Sequence, residues 1–554
     1  MRFILHRALM VVCVFLAVFS VLTIPMRAET KTTDGRFGIN SFVFNRYEWQ
    51  KWDQPTSEIQ ELGVSWVREE FVWGQIEPEK DNLNWDFYDN AFNSLSKSNV
   101  KVLGIIDYSA PWATSNPGLD QADKYMPDLA QWEKYVSRVV ERYGERVDAW
   151  QIWNEPNIPT FFKPQPNIDQ YISILRTASS VVREKDPNAQ ILVAGMSGVD
   201  VGYLEIMKSK GTEELFDVVA VHPYQVFRSI PEDGAYLRDL SHAQQLGDLY
   251  NKPVWITEIG WPTDRQVGVD EKTQAQYLVR SQLLAYKFPR IEKVFWYDLR
   301  NDGTDPMDRE NNFGLIRADF TPKLAFTAYK SLISVLSGAT FVRDQSDPSN
   351  RSYDLVYKKG SEFIRVIWKS TNDGVAEISG DNDISIVSMT GEKSLLRQSK
   401  DNRYIALSNS PLYLFSKNEI LDADTRGDRY DYEFIDQSAH ISAIQGGSYP
   451  VWVTLRNTGN TIWSKDGSGP HVMLGTCRNI DRHSSFHTAG KWIGANRPAE
   501  PEQDMVLPGG MATFRFDLDT KMVSSGEYRE YFCPLVESVT WMKDVGIYWD
   551  INIR

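Results

Sequence analysis

Between about Gly35 and Gly338, eight short β-rich runs alternate with amphipathic helical patterns, and this alternation constrains the fold more than any other feature. The runs fall at residues 37–43, 64–72, 100–107, 147–153, 191–196, 216–221, 253–257 and 294–297. One intervening helix is plain from its spacing, with Trp132, Tyr135, Val136, Val139, Val140 and Tyr143 on a single face. A second, over 171–182, stops before Asp186-Pro187. Eight strand–helix units of this kind predict an α/β fold, a (β/α)8 TIM barrel over 35–338. An open doubly wound sheet competes, but Gly38-Ile39-Asn40-Ser41 supplies no glycine-rich phosphate turn.

After Gly338 the pattern turns to short strands separated by turn signals such as Lys359-Gly360. Residues 339–418 read as a small antiparallel β domain, 419–432 as an acidic linker, and 433–554 as a C-terminal β-sandwich of Ig-like length. A chain of 554 residues accommodates that many domains. Residues 1–28 are a targeting segment: Arg2 and Arg7 precede an apolar run over 8–24. Its length leaves two readings, a cleaved signal peptide or an uncleaved membrane anchor, and either makes the remainder secreted or cell-envelope protein. Of three cysteines, Cys13 lies in that segment; Cys477 and Cys533 either pair in an oxidising compartment or remain buried thiols. The net charge of −14 argues against nucleic acid as a partner, because phosphate binding needs a basic face.

In such a barrel the chemistry sits at the C-terminal ends of the strands. The fourth run ends Trp153-Asn154-Glu155-Pro156, and the seventh ends Thr257-Glu258-Ile259-Gly260-Trp261. Each sets a glutamate directly after an apolar strand, where burial normally excludes charge. Two carboxyl groups across one cleft are what glycoside hydrolysis requires. No His-Glu-x-x-His metal motif occurs, and Gly195-Met196-Ser197-Gly198-Val199 lacks the last glycine of a nucleophile elbow. The chemistry calls for no metal and no organic cofactor.

These two motifs resemble those of clan A glycoside hydrolases, most nearly family 39-like enzymes with family 5 as a near relation, and the resemblance extends over about 36–418. It implies a retaining mechanism with Glu155 as acid/base, Glu258 as nucleophile, and Asn154 on the sugar 2-hydroxyl. It further implies that His222 and Tyr224 form the clan's His-x-Tyr, with Tyr224 donating to the nucleophile. Arg68 corresponds to an arginine beneath the nucleophile, with Glu69 or Glu70 as rival local partners. Trp296 resembles the clan's platform tryptophan, and Asp298 shares its strand face by period two. Trp112, Trp261, Phe161 and Phe162 are candidates for further sugar subsites, ordinary packing being the other reading of each. The segment Val451-Trp452 to Ile462-Trp463, with Leu507-Pro508-Gly509-Gly510 and Trp541, resembles the four-tryptophan Ig-like domain.

The expected function is hydrolysis of a polysaccharide or oligosaccharide, with a lean toward internal cleavage from the open-ended loops. A non-catalytic carbohydrate-binding protein on the same barrel is the alternative, and transglycosylation through the same intermediate a third reading.

Overall fold

The structure is a computed structural model that describes residues 35–44, 52–225, 227–371, 373–378, 383–396, 403–417, 423–424, 429–465 and 470–554. The expected 1–28 targeting segment and most of the expected 419–432 linker lie outside the described residues. No helix among the described residues is long and apolar enough to cross a membrane.

Nine strands form the first sheet: β1 (Phe37–Asn40), β2 (Trp66–Val72), β3 (Lys101–Asp107), β4 (Ala149–Ile152), β5 (Gln190–Leu192), β6 (Met196–Ser197), β7 (Val219–His222), β8 (Val254–Ile259) and β9 (Ile291–Trp296). Every pairing is parallel, in the order β5-β4-β3-β2-β1-β9-β8-β7-β6. The predicted run at 191–196 is thus two short strands, β5 pairing with β4 and β6 with β7. Leu192 bridges Val218 in parallel, and Val193 N–H donates to the Val218 carbonyl at 3.1 Å, so the two sheet ends meet. The result is a TIM-type barrel of eight staves with the fifth in two pieces.

A helix follows each stave, and local chemistry fixes its ends. Leu129–Tyr143 begins where the Asp128 carboxylate accepts from Gln131 N–H, and it buries all six predicted face residues. Ile168–Lys185 is capped by Asn167 in the same way. Inside the barrel, Trp66, Trp255 and Phe295 pack together. A Cβ at position 38 would lie 2.4 Å from the Phe295 ring, so Gly38 is required for that layer to close.

Downstream, antiparallel sheets follow. One has six strands, in the order Thr340–Asp344, Ser352–Lys359, Glu362–Lys369, Leu412–Ser416, Ile384–Val387 and Lys393–Leu396. A smaller one joins Arg403–Leu407, Gly374–Ile378 and Ala423–Asp424. Ala423–Asp424, within the expected 419–432 linker, pairs with Ile378 and Glu377.

The six-stranded sheet shares its apolar core with the barrel. At that seam Arg280, fully buried, pairs with buried Glu232, and Trp368 Nε1–H donates to Glu232 Oε1 at 2.7 Å.

Residues from Tyr432 on form two larger sheets, beside a two-stranded pair of Trp463–Ser464 with Met505–Val506. One holds Tyr432–Gln437, Ser448–Asn457 and Met511–Asp519; the other is built on Val472–Thr476, Gly526–Val536 and Ile547–Ile553. Both contribute to one core, including Val453, Trp463, Phe514, Phe532 and Trp549. Cys477 and Cys533 are bonded to each other, with Cα atoms 5.6 Å apart.

Candidate active site

Glu258 projects from the end of β8, where the register with β9 slips between Ile256 and Ile259. Such a bulge re-aims side chains, and here Thr257 contacts His222 of β7 while Glu258 contacts Tyr224, two residues beyond that strand. Arg68 Nη1 donates to Glu258 Oε1 at 2.5 Å, and the Tyr224 hydroxyl donates to Oε2 at 3.1 Å. Burial opposes charge on Glu258, but His222, Arg68 and the hydrogen bonds from Arg68 and Tyr224 outweigh it and hold the carboxyl below the ordinary glutamate range. Burial, with the charge of Glu258 behind it, pushes the Tyr224 phenol far above its usual value, so it remains a donor.

Arg68 is itself positioned on several sides. It is 1% exposed, donates to Asn40 Oδ1 (2.8 Å) and Asn154 Oδ1 (2.9 Å), and reaches Gln151 Oε1 at 3.3 Å. Glu69 points away from it, as period two in a strand demands. The Glu69 carboxylate instead accepts from the Ser41 hydroxyl and from Val43 and Phe44 N–H groups. Burial raises Glu69 to about 7.

Glu155 sits where the chain leaves β4 under backbone strain. Trp153 has φ 71° and Glu155 φ 44°, left-handed values that cost non-glycine residues roughly 1–3 kcal/mol each. The following Pro156 already denies Glu155 the helical region. Glu155 N–H donates to the Gly195 carbonyl at 3.0 Å, which ties the strained turn to the gap between β5 and β6. The carboxylate meets His222 Nδ1 at 2.8 Å, while His222 Nε2 lies 3.0 Å from Thr257 Oγ1. Oxygens of Glu155 and Glu258 and a nitrogen of His222 all fall within 4.8 Å of one another. The two glutamates, remote in sequence, face each other.

A family model for glycosyl hydrolase family 53 matches residues 109–289, and one for beta-galactosidase of family 42 matches 41–111. A phospho-cellobiase of Klebsiella oxytoca is 26% identical over 130 residues, 22% of this chain and 27% of that protein. A beta-xylosidase of Caldicellulosiruptor saccharolyticus is 21% identical over 256 residues, 42% of this chain and 51% of that one. The chain therefore spans about half or less of the length of these curated relatives. Among solved structures, a family 39 glycoside hydrolase from Bacteroides cellulosilyticus superposes with a TM-score of 0.58 at 21% identity, over 69% of this chain and 81% of that one. All of these likenesses are to glycoside hydrolases, and the barrel has the fold of the family 39 structures.

In this barrel, Glu155, Glu258, Asn154, Arg68, His222 and Tyr224 converge on one cluster. Six other expected residues do not join it in the same way. Trp296 is fully buried and stacks on Trp261, itself 1% exposed and packed against Tyr236 and Tyr277 of the outer helices. Neither offers a face to a sugar. The reason is strand parity: Phe295 fills the barrel, so Trp296 points outward and Tyr297 inward. Tyr297 is the aromatic at the cleft, edge-on to Phe42, Tyr224 and Phe313. Asp298, sharing the outward face, is 1% exposed and lies near buried Lys323. Trp112 is half-buried, its indole donating to the Glu77 carbonyl, and Phe162 is fully buried whereas Phe161 stacks on Tyr108.

Sequence reading missed Asn40, Gln151, Thr257 and Gly195. Asn40 and Thr257 carry a detectable signal, a polar residue at or next to a strand's C-terminal end. It also missed Asp107, fully buried at the end of β3 with neither carboxylate oxygen hydrogen-bonded among the described residues. Burial, then the neighbouring Glu70, raises its pKa well above the usual range.

Proposed function

We propose that this protein is an exported retaining glycoside hydrolase that cleaves O-glycosidic bonds of a polysaccharide or oligosaccharide. One observation carries the reading: the Glu155 and Glu258 oxygens approach within 4.8 Å. Retaining enzymes hold their carboxyl groups about 5–5.5 Å apart, whereas inverting ones leave about 6.5–9.5 Å for a water. Glu258, kept ionised by Arg68 and Tyr224, attacks the anomeric carbon while Glu155 protonates the departing oxygen. Glu155 then takes a proton from water, and the hydroxide displaces Glu258 with net retention. Asn154, its amide oxygen occupied by Arg68, offers its N–H groups to the sugar 2-hydroxyl.

His222 lies between Glu155 and Thr257, with Nδ1 2.8 Å from Glu155 Oε1 and Nε2 3.0 Å from Thr257 Oγ1, so the His222–Thr257 pair orients the Glu155 carboxyl.

Xylose-containing chains head the substrate panel, on the strength of the beta-xylosidase relative. Internal cleavage remains favoured by the loops around the cleft. Export rests on the N-terminal pattern of residues 1–28, and the Cys477–Cys533 bond accords with an oxidising compartment. The region from Tyr432 is read as the four-tryptophan Ig-like module.

The test is reducing-end release from a glycan panel by wild type and Glu258→Gln, with product sizing and the anomeric configuration followed by NMR. Retained configuration with a silent variant supports the assignment. Equal release by both proteins removes Glu258 from its role, and binding without release by wild type favours a carbohydrate-binding protein.

A further inference from the structure

We infer that Glu155, His222 and Glu258 also form a site for zinc or a similar borderline-soft divalent cation, which blocks the cleft when occupied. Zinc takes nitrogen and carboxylate oxygen ligands at about 2.0–2.2 Å in a tetrahedron, which sets ligand atoms about 3.3–3.5 Å apart. His222 Nδ1 lies 2.8 Å from Glu155 Oε1 and 3.7 Å from Glu258 Oε2, and all three ligand atoms fit within 4.8 Å. Those separations bracket the requirement. Three protein ligands leave a fourth position open to the cleft, the arrangement that accepts an exogenous ligand.

The surroundings are those of a metal site as well. A ligating histidine ordinarily donates its second ring N–H to an acceptor that fixes the tautomer. Thr257 Oγ1, 3.0 Å from His222 Nε2, is such an acceptor, and with Nε2 protonated the Nδ1 lone pair faces both carboxylates. Gly195 supports the ring from behind: a Cβ there would lie 2.1 Å from Nε2. On the other side Arg68 and Tyr224 orient Glu258. The cation replaces the proton shared by His222 and Glu155, and two carboxylates balance its charge. Arg68 opposes it, which favours a cation that gains from nitrogen ligation over calcium or magnesium, which prefer oxygen.

The site rests on the same residues as the proposed hydrolysis, so the experiment reads binding apart from turnover. Chain dialysed against EDTA is titrated with zinc chloride by calorimetry, beside magnesium and calcium chloride. Expected is one zinc per chain at this site, no heat from the other two cations, and at least a tenfold weaker affinity in the isosteric Glu155→Gln and Glu258→Gln. Thr257→Val weakens zinc binding and Thr257→Ser restores it, with circular dichroism melts showing each variant folded. Zinc binding of wild-type strength in both glutamine variants overturns the proposal, as does the absence of zinc heat in wild type. If the glutamine variants lose hydrolysis but keep zinc, only the metal site falls; if they lose zinc but keep hydrolysis, only the catalytic reading falls.

Discussion

Glu258 and Tyr224 form the pair whose chemistry is most directly exposed to mutation. Glu258→Gln removes the proposed nucleophile while keeping the shape of the side chain, and kcat/KM is expected to fall by at least about 10⁴-fold, as for other enzymes stripped of a nucleophile. Tyr224→Phe removes one donor to the Glu258 carboxylate. Because that donor lowers the nucleophile's pKa, its loss moves the acid limb of the kcat/KM profile to higher pH, by about one unit for a hydrogen bond to a charged group. A limb that stays in place would show that Arg68 and His222 suffice to keep Glu258 ionised. Glu69 acts on stability. Raised to about 7 in the fold from about 4.5 when unfolded, it keeps its proton in the native state across that window. The native state then binds more protons than the unfolded one, so stability falls as pH rises from about 4.5 to about 7. Glu69→Gln flattens this slope, which thermal melts at spaced pH values measure.

At the scale of elements, the divided fifth stave and the bulge in β8 shape the site. Gly195 lies in the gap of the former, with His222 filling the space where its Cβ would stand. Gly195→Ala therefore displaces the His222 ring, costs about 1–3 kcal/mol in stability as overpacking does, and lowers kcat more than it raises KM. The eight staves were legible because buried parallel strands leave continuous apolar runs, and Asn154, Glu155, His222, Tyr224 and Glu258 because they sit at or beside strand ends, whereas Arg68 lies within β2 and was named only through the family resemblance. The gap in the fifth stave was not legible. Val193 and Ala194 read as strand, and only the approach of His222 from β7 explains the interruption. Trp296 was misread for a related reason. Its motif position was judged by residue type, whereas its direction is set by Phe295 filling the notch over Gly38. Glu258 was found although the bulge that aims it leaves no mark in hydropathy.

For the molecule as a whole, two links matter. The Cys477–Cys533 bond spans 56 residues of the C-terminal β region, and a closed loop of that length contributes about 2–4 kcal/mol. Reductant, or Cys533→Ala, accordingly lowers the melting transition of that region in calorimetry while hydrolysis at moderate temperature persists. The second link is the seam where Trp368 and Arg280 meet on Glu232. Glu232 belongs to the segment that leads away from Tyr224, and breaking one partner of a buried charge pair costs several kcal/mol. A chain ended after Gly338 lacks Trp368 and uncovers the shared core, so it is expected to aggregate on expression. For protein engineers, the smallest transplantable catalyst is then not the barrel by itself. A fusion or chimera must cut beyond the sheet that carries Trp368, and a library that shuffles modules at the barrel's edge will be dominated by insoluble products.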